Sequence, residues 1–383
     1  MSNISGVIPP PECFERAMSL ARDDSLTSEP KFKGLVNDVY TRHIPRQEDW
    51  DFLLGSTAIV ASAYYSTGTV AITAGSAALV GTGTVWTSAM TAVNGWKIKF
   101  AGNNVIYDFT RTANTTATIS PVLSGSVTIT GGGYTLFRDT YTLASDFMRF
   151  KLGEEGGVQC MKSGKWDIAP VVSAPKWRSD YNSTPSDVTL MCRLLGFTIA
   201  RLRRVQISPP TQTAIAIPYD YIRVLVPMTE YTTGYISAIT NGAVAVVGAS
   251  TAWNVTGNID TATYQYYFRI DADGTGDASV WYLIDSSVAC GATTLSLATA
   301  YGGTTIGTGT ENNTYTISRV PEIPGEFHDY LIYAAAVRGL ADESDTNYQF
   351  FLALSEKSMN DCKRLYKSRA KNTQFGVEDD VRS

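Results

Sequence analysis

The hydrophobic pattern of the chain changes period several times. In the first fifty residues apolar side chains recur every three to four positions. "ECFERAMSLARD" sets Phe14, Met18 and Ala21 on one face, and "EPKFKGLVNDVYTRHI" does the same with Phe32, Leu35, Val36 and Val39, so two helices are expected. Pro10 and Pro11 open the first, where a missing N–H costs nothing, and Pro45 is expected to end the second. "RQEDWDFLL" adds a further turn or two carrying Trp50, Phe52 and Leu53. From Thr57 the period falls to two and glycines punctuate the chain as far as Gly133. Short strands are expected around Val70–Thr73, Lys97–Phe100, Val105–Thr110, Thr116–Ile119, Val127–Ile129 and Tyr134–Arg138, with Asn103-Asn104 as a turn.

Residues 139–230 read differently. "YTLASDFMRFK" begins a strand region, "GVQCMKSGKWDIAPV" reads as a hairpin turning at Lys-Ser-Gly-Lys, and "DVTLMCRLL", "FTIARLRRVQISPP" and "TAIAIPYDYIRVLVPM" are three alternating strands. A second Gly/Thr-rich stretch covers 231–319. Helical periodicity then returns. "PEIPGEFHDYLIYAAAVRGLA" carries a stripe of Phe327, Tyr330, Leu331, Ala334 and Val337. "DESDTNYQFFLALSEKSMNDCKRLY" follows, with Tyr348, Phe351, Ser355, Met359, Cys362 and Tyr366 on its stripe, acids at its start and bases at its end.

The two Gly/Thr-rich stretches can be laid over one another. "GTVAIT" at Gly68 matches "GAVAVV" at Gly242, "VIYDF" at Val105 matches "VWYLI" at Val280, and "YTLFR" at Tyr134 matches "YTISR" at Tyr315. Two copies of one small β-module are therefore expected, each closing on the same strand. The fold class that follows is α+β: a discontinuous core of N- and C-terminal helices around a mainly antiparallel sheet, with two inserted all-β modules, barrel or sandwich. The expected boundaries are 1–66, 139–230 and 320–366 for the core, 67–138 and 231–319 for the modules, and 367–383 for an extended C-terminal tail.

Composition narrows the chemistry. Charged residues make up only 17% of the chain and the net charge is −5, so no global basic field points to nucleic-acid gripping. The five cysteines form no CxxC pair, which favours free thiols in a reducing compartment over a zinc or redox site. The opening stretch has neither a basic n-region nor an apolar h-region, and no apolar run is long enough for a membrane span, so neither a signal peptide nor membrane insertion is expected. Catalysis finds little support. His43 ends a helix, and His328 adjoins Asp329 on a helix where neighbours point apart. "GVQCMKSGKW" lacks the Gly and the Ser/Thr of a phosphate loop. "DADGTGD" offers Asp271, Asp273 and Asp277 as weak calcium ligands, but Tyr282 occupies the position of the bidentate Glu, and a strand-to-strand turn explains the stretch without metal. No cofactor and no enzymatic activity are expected.

Two basic clusters remain. Arg201, Arg203 and Arg204 lie on a predicted strand, either as a solvated face or as a contact to another subunit or to DNA. "KRLYKSRAK" leads into "NTQFGVEDDVRS", where Lys367, Arg369, Lys371, Phe375 and Val377 read as a docking peptide or a frayed terminus.

The order of these elements resembles the head-to-tail connector (adaptor) proteins of tailed bacteriophages, of the podovirus tail-tubular and portal-adaptor type. Leu143, Asp146 and Phe147 match the turn that introduces that family's sheet, with Ala144 in place of its proline. Pro209, Pro210 and Tyr219 match a strand pair, and Ile323, Pro324, Phe327, His328 and Asp329 match the start of its C-terminal helix. The match covers about half the chain, the discontinuous core. The resemblance implies a homo-oligomeric ring of about twelve subunits beneath the portal protein. In that ring duplex DNA passes without sticking, the C-terminal tail embraces the portal, and the distal face receives a tail or nozzle protein. It implies a virion protein at the portal–tail junction, assembled in the bacterial host's cytoplasm, with no membrane partner. The alternatives are a tail-tube or tail-completion subunit, and a carbohydrate-binding adhesin stacking sugars on Trp86, Trp96, Trp253 and Trp281.

Overall fold

A computed structural model describes residues 10–21, 29–124, 128–151, 157–162, 165–255, 258–271, 280–307, 313–340 and 346–374. Helices and antiparallel sheets both contribute, an α+β protein. The chain divides into two compact units. A terminal unit joins Met1–Phe52 to Leu225–Ser383, and a central unit spans Leu53–Val224. The chain enters the central unit on β1 (Leu54–Ala61) and leaves it on β15 (Ile215–Arg223). These strands pair antiparallel from Leu54↔Ile222 to Ala61↔Ile215, so both crossings lie at one end of a single ladder. The helical ends thus share a unit with the second Gly/Thr-rich region, and residues 139–224 share one with the first.

In the terminal unit, α1 (Pro10–Leu20) buries Cys13, Phe14, Ala17 and Met18, and α2 (Glu29–Asp38) buries Phe32 and Val36. Pro45 does not end the second helix as expected. A π-turn at Val39–His43, closed by the Ile44 N–H on the Val39 carbonyl, widens the backbone, and Pro45 falls in the first turn of α3 (Ile44–Gln47), where its missing N–H is tolerated. The Trp50 indole donates to the Ile44 carbonyl at 2.7 Å. Near the other end of the sequence, α5 (His328–Gly339) is buried on almost every side and packs on α1, α2 and α6 (Thr346–Gln374). Gly339 is required by close approach, since a Cβ there would stand 2.4 Å from the Phe32 ring. The Lys31 ammonium donates to the Gly339 carbonyl at 3.1 Å, a cation at the helix end that favours one.

The central unit holds a seven-stranded antiparallel half-barrel: β2 (Thr69–Ile72), β3 (Ala78–Thr82), β4 (Trp96–Phe100), β5 (Ile106–Ala113), β6 (Thr116–Ser120), β7 (Ile129–Gly132) and β8 (Tyr134–Arg138), in the order β7-β2-β3-β6-β5-β4-β8. Tyr65 bridges Leu136 on the outer side of β8. Residues 139–223 together with β1 build three small sheets rather than the single one expected. They are β1-β15-β10, with β10 at Phe147–Phe150, the pair β11 (Gly157–Lys162) and β12 (Lys165–Pro170), and β13-β14-β9, with β9 at Thr140–Thr142, β13 at Met191–Phe197 and β14 at Arg203–Ser208. A short helix α4 (Ala174–Asp180) lies between the last two groups in sequence. One apolar core, including Ile59, Phe147, Phe150, Val205, Ile217 and Tyr219, serves all three sheets, because each strand is too short to cover a face alone.

The strands of 230–319 repeat the half-barrel's order. They are β16 (Glu230–Tyr231), β17 (Tyr235–Ile239), β18 (Ala245–Ala249), β19 (Tyr266–Ile270), β20 (Tyr282–Leu283), β21 (Thr294–Ser296) and β22 (Tyr315–Arg319). Two sheets, β17-β18-β21 and β16-β22-β19-β20, are linked by a bridge between Ile284 and Leu297. Ile306 and Asn313 bridge to β17 on its far side, as β7 flanks β2. The agreement extends to single hydrogen bonds. Gly81 N–H donates to the Thr115 carbonyl and Gly248 N–H to that of Thr293, both at 2.8 Å; Trp86 N–H donates to Asn114 and Trp253 N–H to Ala292, both at 3.0 Å. This register corrects one pairing read from sequence. Gly75 and Gly242 occupy equivalent turns, each donating to Leu123 or Tyr301, so the partner of Gly68 is Gly234 and not Gly242. Both stretches read Gly-x-Val-Ala, and composition alone could not tell a strand start from a turn.

Candidate functional site

The groups best suited to chemistry are engaged in packing. His328 is buried, and burial pushes its imidazole down to about 4 against the opposing pull of Asp329. His43 is lowered by burial and meets the Tyr330 hydroxyl at 3.3 Å. Burial raises the Cys13 and Cys192 thiols to about 12 and Cys362 to about 11, which removes the thiolate a nucleophile needs. Among the described residues no three His, Cys, Asp or Glu side chains are placed to hold a metal ion. Asp271 accepts from the Thr316 hydroxyl at 3.0 Å and from Arg269 Nε at 3.3 Å, while Asp273 and Asp277 lie outside the described residues.

The most elaborate polar cluster centres on Asp139, fully buried between β8 and β9. One carboxylate oxygen, Oδ2, accepts from Lys97 Nζ at 2.8 Å, the Tyr181 hydroxyl at 2.7 Å and Gln206 Nε2 at 2.6 Å. The other accepts from the Thr140 hydroxyl at 2.8 Å. Gln206 Oε1 in turn accepts from Arg193 Nη2 at 2.8 Å, and the Arg193 guanidinium stacks 5.1 Å from the Trp177 ring. With four donors on it and no exposed surface, this carboxylate is built into the packing and does not open onto a cleft. It ties the half-barrel strand β4 to the sheet of β14, and sequence offered no signal for it beyond an Asp after the repeated pentapeptide.

The tryptophans expected to stack sugars are core residues: Trp86 and Trp253 are buried at the centres of the two β-regions, and Trp96 is buried with them. In both regions the indole N–H donates to a tyrosine hydroxyl, Trp86 to Tyr134 at 3.2 Å and Trp253 to Tyr315 at 2.8 Å, and each hydroxyl in turn donates a hydrogen bond to a backbone carbonyl, of Thr67 or Thr233. Only Trp281 keeps a partly open face, and Arg269 covers it at 4.5 Å.

The exposed features are more informative. Arg201 was expected on a strand, but it sits in the left-handed region (φ 58°) within the turn Thr198–Leu202 between β13 and β14, with Arg203 and Arg204 at the start of β14. Three hydrogen bonds fix this turn: Thr198 N–H to the Leu202 carbonyl at 2.8 Å, Arg201 N–H to the Thr198 carbonyl at 2.9 Å, and Leu202 N–H to the Thr198 hydroxyl at 3.0 Å. At its tip Ile199 is fully exposed and Phe197 is 59% exposed, with the Arg203 guanidinium stacked 4.8 Å from the Phe197 ring. Sequence carried a usable sign of this surface: no Asp or Glu occurs between Asp187 and Asp220.

An acidic groove of about 550 Å³ runs between α5 and α6 in the terminal unit. Its walls include Glu326, Asp329 and Asp361 over an apolar floor of Tyr333, Leu354 and Leu365, with Lys357 the one cation among its lining residues. Tyr333 is held there by stacking on Phe351, with centroids 6.3 Å apart and planes 14° apart. The helix α6 runs on to Gln374, so Lys367, Arg369 and Lys371 lie on a helix where an extended tail was expected; Lys, Arg, Ala and Gln are all good helix formers. Phe375 and Val377 lie outside the described residues. No helix among the described residues is long and apolar enough to cross a membrane.

No family model matches the chain, and no curated protein shows significant sequence similarity to it.

Proposed function

We propose that the chain is a structural virion protein, the head-to-tail adaptor of a tailed bacteriophage. About twelve copies form a closed ring beneath the portal, line the DNA channel and present the surface on which the next tail component docks. The observation that carries this reading is the convergence of the motif pieces that resemble the adaptor family. Phe327, from "IPGEFHD", packs edge-on against Trp50 at 5.0 Å and Phe52 at 5.2 Å, both from "RQEDWDFLL". In the central unit, Ala144 N–H donates to the Tyr219 hydroxyl and the Tyr221 hydroxyl donates to Asp146, which unites "LASDF" with the "Pro…Tyr" strand. Residues far apart in the chain thus meet as a packed set within each unit.

In this reading the architecture is a discontinuous core carrying two inserted copies of one β-module; the common strand order and matched hydrogen bonds support the duplication. The protein acts by shape and not by catalysis, without a cofactor, and works at the portal–tail junction of the virion after assembly in the bacterial cytoplasm. The C-terminal segment with Lys367, Arg369, Lys371, Phe375 and Val377 engages the portal. The decisive experiment is the copy number of the chain in purified virions relative to the major capsid protein. About a dozen copies is the expected result for a single ring. A number many times higher would make it a tail-tube subunit, and absence from the particle would overturn both. The buried Trp86, Trp96 and Trp253 argue against the adhesin reading, which needs exposed indoles.

A further inference from the structure

From the geometry and charge of two surfaces we infer that the β13–β14 tip of one copy docks in the α5–α6 groove of the next, with Phe197 and Ile199 entering the apolar floor and the arginines meeting the carboxylates. The inference rests on the ring reading and gives it an interface.

The tip is an unusual piece of surface. An isoleucine and a phenylalanine standing in water at the end of a hydrogen-bonded hairpin gain nothing for the fold of their own unit. Because the turn is already fixed, its docking would not pay the ordering cost of a loose loop. Arg201, Arg203 and Arg204 give the tip three positive charges, undiluted by any acid on the hairpin. The groove presents the complement: three carboxylates against the single Lys357, around Tyr333, Leu354 and Leu365. Its volume of about 550 Å³ falls within the range of clefts that enclose a compact apolar ligand, ample for one aromatic and one aliphatic side chain.

Charge selects the occupant. A like-charged surface would be repelled from the groove, and an apolar peptide without cations would leave Asp361 and Glu326 facing a desolvated contact. A second copy of the chain supplies both apolar and cationic groups on one rigid element. Tip and groove are different surfaces, so the contact is heterologous, each copy giving a tip and receiving one, which is the arrangement that closes into rings. Duplex DNA is the competing partner for three arginines, but it has no use for the exposed Ile199 and Phe197 beside them.

The test uses the full chain in sedimentation velocity over a range of concentrations, at low and high salt. Wild type is expected to self-associate as concentration rises. Ile199→Asp, Arg201→Glu and Asp361→Arg should each weaken association about tenfold or more, and Arg201→Glu combined with Asp361→Arg should recover most of the loss. All three sites are on exposed surface, and circular dichroism of each variant verifies that its fold is intact. A chain that stays monomeric at every concentration overturns the inference, as does association indifferent to the substitutions. Salt-dependent binding of duplex DNA that is lost in Arg201→Glu, without self-association, assigns the tip to DNA instead. The ring reading is judged separately by virion copy number, so failure of the tip–groove contact leaves it standing, and failure of the copy number does not erase a measured charge-swap rescue.

Discussion

Replacing Asp139 by alanine takes away the acceptor on which one ammonium, one phenol and one amide converge. The substitution leaves Tyr181 and Gln206 without their partner inside the central unit, and Thr140 loses a hydrogen bond as well. Lys97 is 20% exposed and can turn its charge towards water, which moderates the cost. Tyr181 and Gln206 have less freedom: the Tyr181 ring rests 5.1 Å from Trp177, and Gln206 sits mid-strand, held by Arg193. Each stranded donor costs about 1–3 kcal/mol, and removal of one partner from a buried ion pair costs about 3–5 kcal/mol, so the expected loss is about 3–5 kcal/mol in all, since these figures overlap. For a unit of this size that lowers the melting temperature by about 6–20 °C. Tryptophan fluorescence during urea unfolding is the natural assay, because Trp177 lies under Arg193 at the edge of the cluster. Asp139→Asn keeps the volume but turns an amide donor towards other donors, and should fall between wild type and alanine. A loss below about 1 kcal/mol for Asp139→Ala would mean that water substitutes freely for the carboxylate, and the cluster would then not hold β4 to β14.

Two further outcomes are expected. The imidazole of His328 sits near 4 in the fold and at its ordinary 6.5 when unfolded, so the unfolded chain binds the extra proton between those values. Stability of the terminal unit is therefore full above pH 6.5 and falls towards pH 4, by on the order of 3 kcal/mol; urea midpoints at pH 7.5 and 4.5 should show this loss in wild type, and an equal loss in His328→Gln would assign it to other groups. At Gly81 an added Cβ would stand 2.3 Å from Thr84 Oγ1, and at Gly248 it would stand 2.5 Å from Thr251 Cγ2 and 2.7 Å from the Trp253 ring. Gly81→Ala and Gly248→Ala should each cost about 1–3 kcal/mol in chemical denaturation, and a free substitution at one site would break the equivalence of the two regions.

What was legible in the sequence followed from strong periodicity. The stripe Phe327, Tyr330, Leu331, Ala334 and Val337 is buried as read, and so are Phe14, Met18, Phe32 and Val36. The repeated pentapeptide marked two equivalent strands, β8 and β22. Strand β3 was missed because its inward positions are Leu79 and Gly81, and a glycine makes no hydrophobic alternation. Arg201 was misplaced because a non-glycine residue in the left-handed region leaves no mark on composition. The groove was invisible for a different reason: Glu326 and Asp361 are brought together by helix packing, and each reads locally as an ordinary surface acid. The Asp139 cluster gathers residues from positions 97, 139, 181 and 206, too widely spaced for any motif.

The common strand order of the two β-regions places two solutions to one packing problem inside a single chain. Where Phe109 fills one core, Ile284 fills the other; where Ala117 faces in, Leu295 does; and where Leu123 closes one turn, Tyr301 closes its counterpart. One position shrinks while two grow, so side-chain volume is not fixed position by position. A lone Ala117→Leu is therefore expected to overfill its site, because the neighbours that make room for Leu295 in the second region are not those around Ala117. The pieces common to both regions are the tryptophan, the tyrosine whose hydroxyl accepts its hydrogen bond and the glycine beside the indole, and the differences fall among the residues that pack around them.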